Sequence, residues 1–493
     1  MRIHTPLGIL ALLFSAACSS EGGGDATGES QDELVTHSTV KVWITSDPHD
    51  PFRKGAETKL GAPAAPAGSA GVIDVADSSE LLRQKVEGFG AALTDASAAI
   101  MHYELDEQQR SQLIDELMSP TKGLGLSVLR LPIAASDSTW KDAYSYDDGS
   151  ADPNLTRFSV AHDEEYILPI LEKIVKQVNP GVRIIASPWS PPAWMKQDTG
   201  SMIGGSLRSN YRGAYADYIV KFVRAYWEHG VAINAITPQN EPGQPANYPS
   251  MTLPASAEAE LITSFLAPAL AKAHFGWVNI LGFDHNWGDA YPTDLLGNAE
   301  ARKVLSGIAF HCYGGDHSAA LTELHDKFQK DVYVTECDRS ETPSGVNAGK
   351  GEGIQKLIRA MNNWSRTYIA WQLVLHPDGT PNKGTGCRHF DDQGNVTWHC
   401  VGVVSVDPKK HSVEKEWDYA YLGHASKFVR RDARAVRVAA LGAVESVAFV
   451  NPNGERVLVA YNASETTQKF QVRWHGQAFD AEIPKRSAAT FTW

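Results

Sequence analysis

Eight short β-rich runs alternate with amphipathic helical stretches over residues 86–372, and this alternation constrains the fold of the 493-residue chain more than any other feature. The runs are 86–90, 126–131, 182–186, 235–239, 278–283, 307–311, 332–335 and 367–372. One stretch between them, 163–178, has apolar residues at helical spacing and ends at Pro180-Gly181. Strand and helix repeated eight times predict an α/β fold, a parallel (β/α)8 TIM barrel whose chemistry gathers at the carboxyl ends of the strands.

Both ends of the chain carry short strand signals outside the barrel. They occur at 36–45 and 71–75, and again after Phe428, where Asn451-Pro452-Asn453-Gly454 is typical of a hairpin turn. We therefore predict an appended antiparallel β-sandwich built from both chain ends, 36–84 and 430–493, around a catalytic barrel at 85–429. Without an aromatic cluster to mark a binding face, a stabilising appendage is favoured over a carbohydrate-binding module.

The first 35 residues are typical of an export signal followed by a flexible linker. Leu7–Phe14 is an apolar run too short to span a bilayer, and Ser15-Ala16-Ala17-Cys18 resembles a bacterial lipoprotein signal. We expect a signal peptide at 1–18, lipidation of Cys18 and a linker at 19–35, which would give a bacterial cell-envelope lipoprotein. Ordinary cleavage after Ala17, giving a secreted protein, is the alternative.

The formal net charge of −13 bears on the partners of the protein. Binding of phosphate groups needs clustered Lys and Arg, so nucleic acid is not an expected partner. The same charge disfavours adhesion to anionic membranes, so the only membrane contact expected is a lipid anchor at the N-terminus.

Two glutamates each end one of the predicted barrel strands. Glu241 follows the fourth run in Asn240-Glu241-Pro242, and Glu336 ends the seventh. Strands four and seven lie nearly opposite in an eight-stranded barrel, so both carboxylates would reach into one mouth. In retaining glycosidases such a pair lies about 5 to 5.5 Å apart, with one acid/base and one nucleophile. The pattern predicts Glu241 as acid/base with a raised pKa, in extended backbone before Pro242, and Glu336 as an ionised nucleophile.

Six further segments make the chain similar to glycoside hydrolase family 30, and to its glucosylceramidase branch above all. They are Gly88–Ser97, Leu129–Asp137, Ala186–Lys196, Asn240–Pro242, Phe310–Tyr313 and Tyr421–Phe428. The resemblance implies a retaining hydrolase of β-D-glucosidic linkages that acts on a carbohydrate or glycolipid and uses no cofactor and no metal.

The resemblance also implies residues that bind the terminal sugar. Asp95 would accept hydrogen bonds from its distal hydroxyls, with a helix N-terminal carboxylate as the alternative. Trp189 and Trp371 would offer flat faces to the sugar, with core packing as the alternative. Asn240 would donate a hydrogen bond to the 2-hydroxyl.

Four more residues are implied near the two glutamates. Arg130 would favour the ionised form of Glu336, although a purely structural ion pair is an equal possibility. His311 and Tyr313 end the sixth strand, where Tyr313 could hydrogen-bond the nucleophile. Tyr248 matches a tyrosine in the loop after the acid, and rim packing is the alternative for both tyrosines.

Four cysteines follow Cys18, an even number that is compatible with disulfides in an exported protein. Cys387 and Cys400 bracket a polar loop, and we predict that they pair. Cys312 and Cys337 could pair or remain buried free thiols, and free thiols are slightly favoured. Alternation along the strand separates His311 from Cys312, which argues against a metal site there.

Several functions remain open at this point. An endo-β-1,6-glucanase or another β-glycanase of the same family is the alternative to a β-glucosidase. A surface lipoprotein that binds glycans without cleaving them, or an envelope scaffold, belongs to a different class.

Overall fold

The computed structural model describes residues 39–63, 71–197, 199–244, 246–287, 290–338, 340–341, 351–381 and 387–493. The expected signal peptide, Cys18 and the linker lie outside these residues.

Eight parallel strands form a closed barrel, which confirms the predicted fold class. In chain order they are Gly88–Ala92, Val128–Ile133, Arg183–Pro188, Ala235–Ile236, Asn279–Asn286, Gly307–His311, Asp331–Asp338 and Ser365–Trp371. The eighth strand pairs with the first and closes the barrel. Each strand overlaps its predicted run, although only two residues of the fourth are paired as a strand. One residue from each of seven strands fills a layer of the interior: Val128, Ile185, Ala235, Leu281, Ala309, Tyr333 and Ile369.

Helices cover the barrel and follow the expected alternation. They are Asp95–Tyr103, Glu107–Met118, Ala161–Lys173, Arg212–Glu228, Ala255–Glu260, Ala267–Lys272, Tyr291–Gly297, Ala299–Val304, Ala319–Phe328, Glu352–Asn362 and Trp417–Ser426. Two π-helical segments, Ile174–Val178 and Leu261–Leu266, continue the third and fifth of these. Local capping sets several starts: the Thr94 side chain accepts from the Ser97 N–H, and Asp106 forms a capping box with Gln109.

The sandwich combines strands from both chain ends, as predicted. Its larger sheet contains Arg53–Lys54, Thr39–Thr45, Ser487–Thr492, Arg456–Asn462, Val444–Val450, Arg434–Val436 and Leu82–Lys85 in that order, with Thr58–Lys59 beside Thr39–Thr45. The smaller sheet orders Gln477–Ile483, Gln468–Trp474 and Gly71–Asp74. The prediction of a wholly antiparallel sandwich is wrong at one pair, because Gly71–Asp74 runs parallel to Gln468–Trp474.

Short sheets that the sequence analysis did not predict lie outside the barrel and the sandwich. Ser340–Glu341 pairs with Val396–Cys400, which pairs with Arg388–Phe390 to form a hairpin. The other two sheets are Val374–Leu375 with Val404–Asp407 and Ser412–Lys415, and Lys196–Gln197 with Ser206–Leu207. Within the described residues, none of the helices has the length and apolar composition needed to cross a bilayer.

Buried polar contacts fix the sandwich to the barrel. His424, on the helix Trp417–Ser426, lies 2.8 Å from Thr490 Oγ1 through Nδ1 and 2.9 Å from Thr45 Oγ1 through Nε2. Arg359 donates to Glu445 at 2.6 Å across the same boundary. Burial lowers the pKa of His424 to about 3, so this imidazole is neutral at physiological pH.

His424 should make the stability of the fold depend on pH. Below about pH 6.5 the unfolded chain binds a proton at this residue that the folded protein does not bind until about pH 3, so the free energy of unfolding falls as pH drops through that window. We expect a loss of about 2 kcal/mol between pH 7.5 and pH 5 from this group alone. Chemical denaturation of the wild type and of His424→Asn at both pH values measures it, because the variant should lack that increment. Equal pH dependence in the two proteins would contradict the assignment.

Candidate active site

A buried arginine joins four barrel strands at the carboxyl end of the barrel. Arg130, on the second strand, has no solvent exposure and donates through Nη1 to Glu336. Its Nη2 donates to Asn240 Oδ1 at 2.7 Å and to Asp284 Oδ2 at 2.8 Å. The guanidinium also stacks on two rings, 4.7 Å from the centroid of Trp189 and 5.7 Å from that of Trp371. Burial alone would lower the pKa of Arg130, but the two carboxylates outweigh it and keep the guanidinium charged.

Glu336 is held at both of its oxygens. Arg130 donates to Oε2, and the Tyr313 hydroxyl donates to Oε1 at 2.7 Å. The side chain is 8% exposed, which leaves it accessible from the cavity above. Arg130 and Tyr313 therefore fix the orientation of this carboxylate.

Glu241 lies against two imidazoles. Its Oε1 is 3.1 Å from His311 Nδ1 and 3.4 Å from His285 Nδ1, and Tyr248 donates to Oε2 at 3.4 Å. Burial favours the neutral acid, but the two histidines outweigh burial and hold the pKa of Glu241 well below its usual range. The expectation of a raised pKa is therefore wrong, because the sequence analysis did not place His285 beside Glu241 or His311 within hydrogen-bond distance of it.

The backbone at Glu241 also differs from the prediction. Its φ is 48°, in the left-handed region, instead of the extended conformation expected before Pro242. Two hydrogen bonds hold this turn: the Glu241 N–H donates to Asp284 O at 3.0 Å, and the Gln244 N–H donates to Glu241 O at 3.0 Å. Such a backbone conformation costs on the order of 1–3 kcal/mol, and contacts with the neighbouring structure must offset this cost.

His311 places the two glutamates close together. Its Nδ1 lies 3.1 Å from Glu241 Oε1 and 3.7 Å from Glu336 Oε1, so these two oxygens are within about 7 Å of each other. This separation allows the short spacing of retaining glycosidases and excludes most of the wider range of inverting ones. Burial would lower the pKa of His311, but Glu336, Asp284 and Glu241 raise it to about 10.

Asp284 anchors this network from below and was missed in the sequence. It is fully buried and accepts hydrogen bonds from the hydroxyls of Ser187 (2.9 Å), Thr237 (2.8 Å) and Thr335 (2.6 Å), besides its contacts with Arg130 and His311. Burial would raise the pKa of Asp284, but Arg130 and these donors hold it well below its usual range. A signal was present in the sequence, since Asp284-His285 follows directly on an apolar run.

The two glutamates open into a cavity of about 290 Å³. Its lining consists of Asp137, Trp189, Asn240, Glu241, Tyr248, Tyr313, Glu336, Trp371, Trp398 and Cys400. Trp189 and Trp371 are stacked with ring centroids 5.3 Å apart. The structure therefore brings together all the predicted site residues except Asp95, with Arg130 and His311 beneath the floor.

Asp95 does not line the cavity, so its expected role in binding sugar is contradicted by the geometry. It begins a helix, and its carboxylate is occupied by the Trp140 N–H at 2.6 Å, the Tyr166 hydroxyl at 2.6 Å and His162 Nε2 at 2.7 Å. The cavity instead contains Asp137, whose buried Oδ1 has no hydrogen-bond partner among the described residues. Burial and Glu336 raise the pKa of Asp137 to about 8. Asp137 ends a segment that carried the family resemblance, which was the signal that could have found it.

Both cysteine pairs are disulfide-bonded. Cys387 and Cys400 pair as expected. The preference for free thiols at Cys312 and Cys337 is wrong, because the two residues end adjacent paired strands and their Cα atoms lie 5.1 Å apart, within bonding range.

One group of residues could hold a divalent transition metal. Glu241, His285 and His311 each offer a ligand atom within 4.8 Å of the others. Cleavage of a glycosidic bond by two carboxylates needs no metal.

A (β/α)8 barrel with two opposed carboxylates above stacked tryptophans defines a glycoside hydrolase. Residues 86–429 match the family model described as the glycosyl hydrolase family 30 TIM-barrel domain, and residues 434–491 match that of its β-sandwich domain. The chain belongs to glycosyl hydrolase family 30. The alternatives of a non-catalytic binder and of a scaffold are not supported by this membership.

Relatives carry two kinds of name. The endo-1,6-β-D-glucanase BGN16.3 of Trichoderma harzianum is 31% identical, over 93% of this chain and 97% of that protein. The lysosomal acid glucosylceramidase of Mus musculus is 28% identical, over 83% of this chain and 81% of that protein. Among solved structures, SrfJ from Salmonella typhimurium has a TM-score of 0.82 at 26% identity, covering 92% of this chain and 99% of SrfJ. The endo-β1,6-glucanase BT3312 has a TM-score of 0.80 at 25% identity, covering 92% and 98%.

Two matched variants distinguish the aspartates. Asp137→Ala should lower kcat/KM for 4-nitrophenyl β-D-glucoside about 10- to 100-fold, the value of one or two hydrogen bonds to a sugar hydroxyl, without loss of stability. Asp95→Ala should instead lower the free energy of unfolding by about 1–3 kcal/mol, because one buried and two partly buried donors lose their acceptor. Steady-state kinetics and chemical denaturation measure both quantities. A larger loss of kcat/KM in folded Asp95→Ala than in Asp137→Ala would contradict this assignment.

Proposed function

We propose that this protein hydrolyses β-1,6-linked glucan by a retaining double displacement, with Glu336 as nucleophile and Glu241 as acid/base. The observation that carries the proposal is the position of His311, which keeps the two carboxylates within about 7 Å of each other in one cavity. The stacked rings of Trp189 and Trp371 on the floor give that cavity flat apolar faces, which suit the C–H surface of a pyranose ring.

In the first step a Glu336 oxygen attacks the anomeric carbon of the sugar on the cavity floor. The bond between Glu336 and the carbon forms as the bond to the glycosidic oxygen breaks, and Glu241 donates a proton to the departing oxygen. Arg130 and Tyr313 fix the attacking carboxylate so that little reorientation is needed.

The proton for this step is shared by the hydrogen-bonded pair of Glu241 and His311. The carboxylates around His311 raise its pKa to about 10, and Glu336 is the largest of these influences. The proton therefore resides on the imidazole, at hydrogen-bond distance from Glu241 Oε1. When Glu336 becomes an ester it loses its charge, so the proton affinity of His311 falls; the imidazole passes its proton to Glu241, and Glu241 transfers it to the leaving oxygen.

The second step reverses this order. Water attacks the anomeric carbon, the bond to Glu336 breaks, and Glu241 takes the proton from the water. The negative charge returns to Glu336 and raises the proton affinity of His311 again. Two inversions at the same carbon give a product of retained β configuration.

Asn240 is oriented to bind the sugar 2-hydroxyl. Arg130 Nη2 donates to its Oδ1, so the amide NH₂ is the group that can donate into the cavity. Hydrogen bonds to this hydroxyl strengthen in the transition state and supply part of the catalysis.

The choice of β-1,6-glucan rests on the relatives that share nearly the whole chain, the Trichoderma endo-1,6-β-D-glucanase and the structure of BT3312. Glucosylceramide is the second candidate substrate, because the mouse lysosomal enzyme and the putative glucosylceramidase 4 of Caenorhabditis elegans, 30% identical over 78% of this chain, also match. A role in sphingolipid metabolism would follow only from that second substrate.

Chemical rescue assigns the two glutamates. Glu336→Ala should lower kcat for 4-nitrophenyl β-D-glucoside at least about 10⁴-fold, and azide should restore turnover with an α-glucosyl azide product. Glu241→Ala should lower kcat for an unactivated substrate about 10²–10⁴-fold, and azide should restore turnover with the β-glucosyl azide as product. Exposed Glu300→Gln is the control and should behave as wild type. Rescue with exchanged product configurations would reverse the roles, and no effect in either variant would refute the mechanism.

The substrate is tested on the wild type with β-1,6-glucan, gentiobiose, glucosylceramide and xylan, with product sizing and NMR of the first-formed anomer. β-1,6-Glucan should be cleaved with the highest kcat/KM and release β-anomers. Faster cleavage of glucosylceramide would favour the second candidate, and a first-formed α-anomer would contradict retention.

We also infer that the protein is exported and anchored by a lipid on Cys18, from the apolar run and small residues that precede this cysteine. In a bacterial host fed an alkyne-tagged fatty acid, the wild type and Ser20→Ala should carry the label and sediment with membranes, and Cys18→Ser should not. An unlabelled wild type with its mature N-terminus at Cys18 would indicate ordinary secretion.

A further inference from the structure

We propose that Trp398 forms the wall of the subsite for the leaving group and stacks on the sugar next to the scissile bond. This inference rests on the proposed function and narrows it, because it makes the leaving group a carbohydrate instead of a lipid. Trp398 lines the cavity but takes no part in the chemistry described above.

Depth within the cavity separates Trp398 from the groups that hold the reacting sugar. Trp189 and Trp371 are 2% and 3% exposed, so they belong to the floor. Tyr248, Tyr313 and Trp398 are half-buried and line the rim. A sugar on the floor must direct its leaving group outward, past Glu241 and toward this rim. Trp398 is the tryptophan of the lining that such a leaving group would meet.

The hairpin that carries Trp398 is anchored at its base. Its strands Arg388–Phe390 and Val396–Cys400 pair antiparallel, and the disulfide between Cys387 and Cys400 closes them. The second strand also pairs with Ser340–Glu341, shortly after the strand that carries Glu336. Cys400 packs in one apolar cluster with Trp189 and Trp371, against which Trp398 is packed. The indole is thus held at a fixed place in the lining of the cavity that contains Glu336.

The chemistry of the ring indicates its partner. An indole offers a broad apolar face with a negative potential, which attracts the polarised C–H groups of a pyranose. Stacking of this kind recognises the pyranose ring of the leaving group and does not constrain the glycosidic linkage of that ring.

A leaving group too small to reach the rim isolates the contribution of Trp398. We compare gentiotriose, whose leaving group is a sugar, with β-D-glucosyl fluoride, whose leaving group is one atom. Trp398→Ala should lower kcat/KM for gentiotriose at least tenfold, mainly through KM, and change that for the fluoride less than twofold. Trp398→Phe should recover part of the loss, because a smaller aromatic face remains.

A second measurement reports binding in this subsite directly. Enzyme trapped as its 2-deoxy-2-fluoroglucosyl ester is reactivated when an acceptor hydroxyl attacks the anomeric carbon, the bond to Glu336 breaks and Glu241 takes the proton. Reactivation by gentiobiose should saturate in the wild type and become linear with concentration in Trp398→Ala, while reactivation by water alone stays unchanged.

Phe390→Ala is the matched control, because it removes an aromatic ring, 50% exposed, from the same hairpin outside the cavity lining. Phe390→Ala should leave kcat/KM unchanged for both gentiotriose and the fluoride. Equal losses on gentiotriose and the fluoride, or no loss on either, would overturn the proposal. If Trp398→Ala fails to fold, the loss of kcat/KM for gentiotriose relative to that for the fluoride is measured in Trp398→Phe, and a loss confined to gentiotriose supports the proposal. A wild type that cleaves neither substrate would instead refute the proposed function, so the two failures are distinguishable.

Discussion

The hydrogen bonds and ion pairs of Arg130 set the arrangement of the whole site. One guanidinium without solvent contact neutralises two carboxylates, orients Asn240 and fills the space beneath two tryptophan rings. Arg130 lies on the second strand and its three hydrogen-bonded partners come from the fourth, fifth and seventh, so the register of the barrel determines whether the charges meet. A buried carboxylate that lost this partner would cost several kcal/mol, which makes the barrel geometry and the nucleophile interdependent.

The charge balance around Arg130 also explains why the Asp137 carboxyl is available to bind the substrate. Glu241, Asp284 and Glu336 share two cations, Arg130 and His311, and the cluster already carries an excess of negative charge. A further ionised carboxyl in the same cavity is disfavoured, and the pKa of Asp137 accordingly rises to about 8. In the part of the chain that the structure describes, no donor pairs with its Oδ1, so the hydroxyls of a sugar are the partners this oxygen fits.

The sequence was sufficient to predict the features that follow from the alternation of strand and helix patterns and from the place of a residue at the end of a strand. Alternating strands and helices predicted the barrel, and glutamates at the ends of the fourth and seventh runs predicted two carboxylates close together in one cavity. It could not reveal contacts made between distant segments: His285 reaches Glu241 only through an irregular fifth strand, and together with His311 it reverses the expected pKa shift of Glu241. Choosing between Asp95 and Asp137 required knowing which carboxyl was already occupied, which local sequence does not encode.

The division between floor and rim separates chemistry from selectivity. The groups that hold and attack the sugar follow barrel strands, whose positions are fixed by a hydrogen-bonded sheet. Trp398 comes from an inserted hairpin that contacts the barrel through a short strand pair and apolar packing, and is closed by its own disulfide. Substitutions in such a hairpin change the surroundings of the leaving group without disturbing Arg130. This division is compatible with one fold whose relatives are named for a polysaccharide and for a glycolipid, because a change in the rim alters the surroundings of the leaving group and leaves the strand ends in place.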